Sequence, residues 1–310
     1  MKQFFLSLIT LMMVYSCSCD KINMTRHSKN DVKRFFDARQ LLGFGEEVDK
    51  YLNEQKFECD TFIVDSLNKH DISMTISGKK YERSFYPFLN VFAIKHGTLM
   101  FNFSDMFIIH VDPVGMFGVD YTKMPKADMI LITHEHHDHL DSAAIAAVAT
   151  DETLIYSNKR VAELSSKCNG LEVGDTITGN WVNIIAVPSY NTTEGHTAFH
   201  PKGRDLGFII EVFNREELSE NGEKSTQSTR IYVAGDTEPI EEMKSFGKID
   251  IAFIPVNQPY TMTPEQAIEA IEMIKPAIVY PYHYGETDLS SIVEHFKDSP
   301  DTEVRIRQLQ

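Results

Sequence analysis

From about residue 72 onward the chain alternates short apolar runs with polar turns. The runs at 99–103, 107–111, 129–133, 182–187, 208–213, 231–234, 249–254 and 277–280 read as strands. Helical spacing falls between several of them. One helix is predicted to start at Asp141 or Ser142 and to carry Ala143, Ala144, Ile145, Ala147 and Val148. A second has a start signal at Thr263-Pro264-Glu265-Gln266, with a Thr cap, Pro at the first helical position and Gln where a capping box requires it. Ile268, Ile271 and Ile274 then share a face, and Pro276 ends the element. Residues 214–229 are polar throughout and read as a long exposed hairpin loop. Strands interspersed with helices imply sheets covered by helices, an α+β arrangement.

The N-terminal part has a different texture. Val32, Phe35, Phe36, Leu41 and Leu42 recur at helical spacing after Asn30, and a short helix is expected over 46–55. Before them, Met1-Lys2-Gln3 leads into an apolar run from Phe4 to Tyr15, short for a bilayer span and suited to a secretory signal. Its end, Val14-Tyr15-Ser16-Cys17, resembles a bacterial lipobox, which would make Cys17 the lipidated first residue of an exported protein. The expected organisation is therefore a signal peptide over 1–16, a tether and helical extension over 17–71, and a main domain over 72–310.

Charge and composition narrow the function. The formal charge is −15, from 30 basic and 45 acidic residues, which argues against broad binding to a phosphate backbone. No nucleic-acid partner is expected. The four cysteines, Cys17, Cys19, Cys59 and Cys168, have no zinc-knuckle spacing. Cys59 and Cys168 could pair in an oxidising compartment. No Gly-rich phosphate loop precedes a helix, and no Ser sits in a nucleophile elbow.

The chemistry concentrates in Thr133-His134-Glu135-His136-His137-Asp138-His139-Leu140-Asp141. Of the 12 histidines, His134, His136, His137 and His139 lie inside these nine residues, beside three carboxylates. The segment follows a strand run and precedes a capped helix, so it sits on a strand-to-helix loop. Imidazole and carboxylate together suit zinc and similar borderline metals. An exposed loop with incidental histidines explains this density poorly.

The His-x-His-x-Asp-His pattern after an apolar strand resembles the signature of the metallo-β-lactamase superfamily. It is most similar to the ascorbate-6-phosphate-lactonase-like branch of metal-dependent hydrolases, and Pro259-Tyr260-Thr261-Met262-Thr263 is a feature of that branch. The resemblance covers roughly residues 72–310. It implies an αβ/βα four-layer sandwich with a small helical N-terminal extension. It also implies a metal-ligand set of His134, His136, Asp138, His139, His200, Asp236 and His283, with Asp138 and Asp236 as the catalytic carboxylates. His134, His136 and His200 would hold one ion, Asp138, His139 and His283 a second, and Asp236 would bridge them. His196 is an alternative to His200. Asp112, after the first hairpin that starts at His96-Gly97-Thr98, would support the metal loop from behind.

The implied cofactors are two divalent ions, zinc by preference, with manganese or iron as alternatives. The implied activity is hydrolysis of an ester, lactone, amide or phosphodiester by a metal-bridging hydroxide. Tyr260 and Tyr284 are candidates to line the pocket, and Lys202 and Arg204 to meet an anionic substrate, although surface solvation suits both cations better. Expected partners are a small-molecule or lipid-derived substrate, a membrane only through the lipid anchor, and a second copy of the chain. Competing readings are a non-catalytic binding lipoprotein on this fold and a di-iron redox enzyme.

Overall fold

The computed structural model describes residues 46–309 except 56, 64–69, 77–78, 86–87, 104–106, 180–181 and 219–223. The expected signal, lipobox, tether and first helix all lie outside the described residues. Helix α1 (Glu46–Gln55) leads into β1 (Glu58–Ile63), followed by a separate hairpin, β2 (His70–Ile76) and β3 (Lys79–Phe85). The first half continues with β4 (Phe88–Lys95), β5 (Thr98–Phe103), β6 (Phe107–Val111) and β7 (Met129–Ile132). After these come α2 (Ser142–Val148), β8 (Leu154–Asn158), α3 (Lys159–Leu164) and β9 (Asn169–Leu171). The second half holds β10 (Thr176–Thr178), β11 (Val182–Ser189), β12 (Asp205–Leu218), β13 (Lys224–Val233) and β14 (Ile251–Pro255). It ends with α4 (Pro264–Ile274), β15 (Ile278–Tyr282), α5 (Ser290–Phe296) and β16 (Glu303–Val304).

Two seven-stranded sheets form, in the orders β1-β4-β5-β6-β7-β8-β9 and β10-β11-β12-β13-β14-β15-β16. Each begins antiparallel and turns parallel halfway, at the β6–β7 pair in the first and the β13–β14 pair in the second. Side chains alternate across each strand, and the first sheet uses both faces. Val91, Phe101, Ile109 and Leu131 point into one core with Ile184, Phe208 and Ile210 of the second sheet. Their neighbours Phe92, Met100, Ile108 and Ile130 point the other way, into a core closed by Tyr51 and Leu52 of α1, Ala144 and Val148 of α2, and Val161 of α3. On the second sheet, Ala267, Ala270, Ile271 and Ile274 of α4 form the buried face of the opposite layer. The layers are helix, sheet, sheet, helix.

Two expectations change, and one open question is answered. The sandwich reaches back to Glu58, because β1 pairs in antiparallel register with β4. The polar stretch 214–229 is largely strand: β12 and β13 stay paired out to Leu218 and Lys224, across a register shift between Phe213 and Arg215. Backbone pairing of an antiparallel hairpin needs no apolar side chains, so polarity concealed it. No disulfide joins Cys59 to Cys168, and Cys168 Sγ contacts Ser157 Oγ instead.

Candidate metal centre

The metal-ligand types gather where strands end, on one rim shared by both sheets. His134, His136, Asp138 and His139 follow β7, and Asp112 follows β6. From the second sheet, His200 follows β11, Asp236 follows β13 and His283 follows β15. The side chains of β7 are fully buried, so its first polar residues emerge where the strand stops. Asp141 then caps α2, accepting from the backbone N–H of Ala143 and Ala144 and fixing the far end of the histidine loop.

Among the described residues three groups of ligand atoms form, each within 4.8 Å: His134, His136 and His200; His134, His139 and Asp236; and His96, Asp138, His139 and His283. Asp236 lies between the others. Its Oδ2 is 3.5 Å from His200 Nε2, 3.9 Å from His134 Nε2 and 3.3 Å from His283 Nε2, and its Oδ1 is 3.3 Å from His139 Nε2. The structure thus brings together every residue of the expected ligand set. His96 joins the set although its motif had suggested only a hairpin. The available signal was its position at the tip between two strands, facing the segment of Asp112.

The donors are held from behind. His139 Nδ1 bonds Asp112 Oδ2 at 2.8 Å, and Asp112 also accepts from the Thr133 N–H and hydroxyl. His200 Nδ1 bonds Asp205 Oδ2 at 2.9 Å, and Arg204 donates to both oxygens of Asp205. Such bonds fix the tautomer and turn Nε2 toward the ion. Asp205 escaped sequence reading because its role depends on a fold-back of the loop onto His200. Gly97 allows the close approach of His139: a Cβ there would lie 2.8 Å from the ring's Cε1.

The site fits a cation by its own chemistry. The Nε2 atoms of His134, His139, His200 and His283 and Oδ1 of Asp236 are buried and make no hydrogen bond. Buried polar atoms are normally satisfied, so five orphans aimed at one region call for metal. Burial alone would lower the His139 pKa, but the Asp236 and Asp112 carboxylates outweigh it and hold the ring well above the ordinary imidazole value. Burial alone would raise Asp236, yet the charges on His139 and His283 hold it well below the usual carboxylate range.

The remaining candidates part from the cluster. His196 bonds Glu238 at 3.1 Å, and Glu238 also accepts from Thr192 and Thr193, so His196 braces the loop that carries His200. The His137 side chain is 85% exposed and points to solvent. The Tyr284 hydroxyl donates to the Arg307 carbonyl and Tyr284 packs in the core, so only Tyr260, exposed and edge-on to Phe199, stays near the rim. Arg204 is paired with Asp205 and Glu135, which removes it from surface solvation as well as from substrate. Lys202 donates to Tyr190 and Glu242. His110 and His295 bond the Pro125 carbonyl and Glu272.

Comparison with known proteins agrees with this fold. The beta-lactamase superfamily domain matches residues 91–283. The chain is 43% identical to a protein from Parabacteroides distasonis named as a metal-dependent hydrolase. That crystal structure superposes with a TM-score of 0.67, covering 82% of this chain and 100% of that one. A UPF0173 metal-dependent hydrolase from Nanoarchaeum equitans is 31% identical over 170 residues, 52% of this chain and 72% of its own length. A metallo hydrolase from Ignicoccus hospitalis, 22% identical, shares the fold with a TM-score of 0.53 over 69% of this chain and 92% of its own.

Proposed function

This chain belongs to the beta-lactamase superfamily and is a metal-dependent hydrolase, and we propose that it cleaves an ester, lactone or amide at a dinuclear centre. The observation that carries the proposal is the convergence of buried, unpartnered imidazole nitrogens from both sheets around Asp236. His134, His136 and His200 would hold one ion and Asp138, His139 and His283 the other, with Asp236 reaching both. Two divalent ions there, zinc by preference with manganese or iron as alternatives, would lower the pKa of a water toward neutrality and polarise the bond under attack.

The chain's own groups then do three things. Asp112 and Asp205 hold His139 and His200 in the tautomer that presents Nε2. Asp138, 22% exposed, and the buried Asp236 are the carboxylates that would orient the attacking water. Half-buried His136 marks the open side where substrate would enter.

Charge favours a carbonyl substrate over a phosphodiester. The carboxylates of Asp112, Asp138 and Asp236 would offset three of the four positive charges that two divalent ions would bring. The nearby cations Arg160, Arg204 and Lys202 already face Glu135, Asp205 and Glu242. Little net attraction for an anion is left. Export and lipid anchoring at Cys17 are a further part of the proposal, supported by the N-terminal sequence alone; with them a lipid-derived ester becomes a reasonable substrate. An assembly of two copies stays a proposal of the same kind.

The test is metal content per chain on protein purified without added metal, beside a His134→Ala/His136→Ala control, followed by turnover of esters, lactones and phosphodiesters. The expected result is two ions per chain, fewer in the control, with carbonyl turnover falling roughly a hundred-fold or more in the control. Little bound metal that zinc or manganese cannot restore would overturn the proposal. Turnover of phosphodiesters alone would overturn the choice of bond.

A further inference from the structure

The second cluster holds one donor more than the family signature supplies. We propose that His96, at the tip between β4 and β5, is a ligand of the second ion together with Asp138, His139 and His283. This rests on the dinuclear reading above.

The first argument is distance. Donors about 2.0–2.1 Å from one ion lie roughly 2.9–4.2 Å from each other, depending on the angle between them. Asp138 Oδ2 lies 3.1 Å from His96 Nε2, 3.4 Å from His283 Nε2 and 3.9 Å from His139 Nε2. Asp236 stands 3.3 Å from both His139 and His283. The three Asp138 spacings fit neighbours around one cation, and Asp236 meets His139 through Oδ1 and His283 through Oδ2. The His96 ring stands 3.8 Å from the His283 ring, centroid to centroid, and Phe117 packs at 4.5 Å, so the imidazole has little freedom to leave.

The second argument is backbone strain and does not depend on those distances. Among the described residues, the non-glycine positions with positive φ are His96 (50°), Asp112 (45°), Lys275 (52°) and His283 (49°). Lys275 ends α4, where a left-handed residue is ordinary. The other three surround the second cluster. A left-handed imidazole-bearing residue persists where the surroundings impose it, and such positions concentrate at functional sites. Here the imposition is explicit. His96 N–H donates to the Leu309 carbonyl at 2.7 Å, and the His96 carbonyl accepts from His283 N–H at 3.1 Å. Glycine or asparagine would meet the backbone requirement more easily. A histidine there implies a use for its ring.

With His96 included, the chain supplies the second ion with His96, Asp138, His139, His283 and a share of Asp236. The first receives three imidazoles and a share of Asp236. The second site is then the fuller and tighter one, and room for substrate lies on the His134, His136 and His200 side.

Strain makes the test discriminating. Metal-free wild type, His96→Asn and His96→Gly would be titrated with cobalt(II) against a chelator while the visible absorption is recorded, and the metal-free proteins would be melted. Both variants are expected to melt at or above the wild-type temperature and to fill the first site normally. They should bind the second ion more than about a hundred-fold more weakly, beyond the loss that follows from removing a partner behind a ligand, with an altered cobalt spectrum. Variants that take up both ions with wild-type affinity and spectrum would overturn the assignment and leave the dinuclear reading intact. A wild type that takes up only one ion would overturn both.

Discussion

His110 shows how one buried side chain can set acid sensitivity away from the metal centre. It is fully buried on β6, and its Nε2–H donates to the Pro125 carbonyl at 3.0 Å. Burial pushes its pKa down to about 4, against a weaker upward pull from that carbonyl. The folded pKa lies below the unfolded one. Between pH of about 6.5 and about 4 the unfolded chain therefore takes a proton that the folded chain refuses, and stability is lost as pH falls. The share of His110 is roughly 2 kcal/mol by about pH 5. Denaturant midpoints of metal-free wild type and His110→Phe at about pH 7 and about pH 5 measure it. The variant should lose less stability between the two, and equal losses would refute the assignment.

At the scale of elements, the histidine loop depends on the start of α2. Asp141 Oδ1 accepts from Ala143 and Ala144, and its Oδ2 accepts from the Gly115 N–H, tying the helix start to the loop after β6. A helix of seven residues has little stability of its own, so its cap carries much of its definition. Asp141→Ala should cost about 1–2 kcal/mol in urea unfolding. Asp141→Asn, which keeps the cap acceptor, should cost clearly less. The reverse order would show that charge, not capping, holds this turn.

For the whole molecule, the closing element is a buried charged network that crosses from one sheet to the other. Asp60 on β1 accepts from the Tyr280 hydroxyl on β15 and from Arg307 at 2.5 Å, and it lies 3.3 Å from Arg305. Asp60 and Arg305 are both buried. The N-terminal strand and the last residues of the chain are thereby locked together beside the His96 tip, which Leu309 also holds. Asp60→Ala leaves the buried Arg305 without its carboxylate there and should cost about 3 kcal/mol or more. Thermal melts of the metal-free variant would measure the loss. A stability within error of wild type would mean that Glu303 and Tyr280 alone satisfy Arg305.

Sequence alone determined the features that local rules govern. The strand runs follow from alternation and burial. The α4 start, with its Thr263–Gln266 capping box, and the α2 start at Asp141 follow from cap chemistry confined to four residues. Candidate ligand types were readable because histidines crowd one loop and because acids and histidines stand directly after apolar strands. The arrangement of these groups was decided by tertiary structure. Whether His196 or His200 enters the cluster depends on where the loop after β11 folds back. The work of Asp205 and Arg204 depends on the same fold. Polar strands at 214–229 form because a hairpin partner supplies hydrogen bonds that no local pattern records. The place of His96 was the least legible, since it arises where a left-handed turn of the first sheet meets the segment of His283 from the second. Periodicity and capping act over a few neighbouring residues, whereas a metal centre is built from strand ends far apart in the chain, and only the packing of two sheets brings them to one rim.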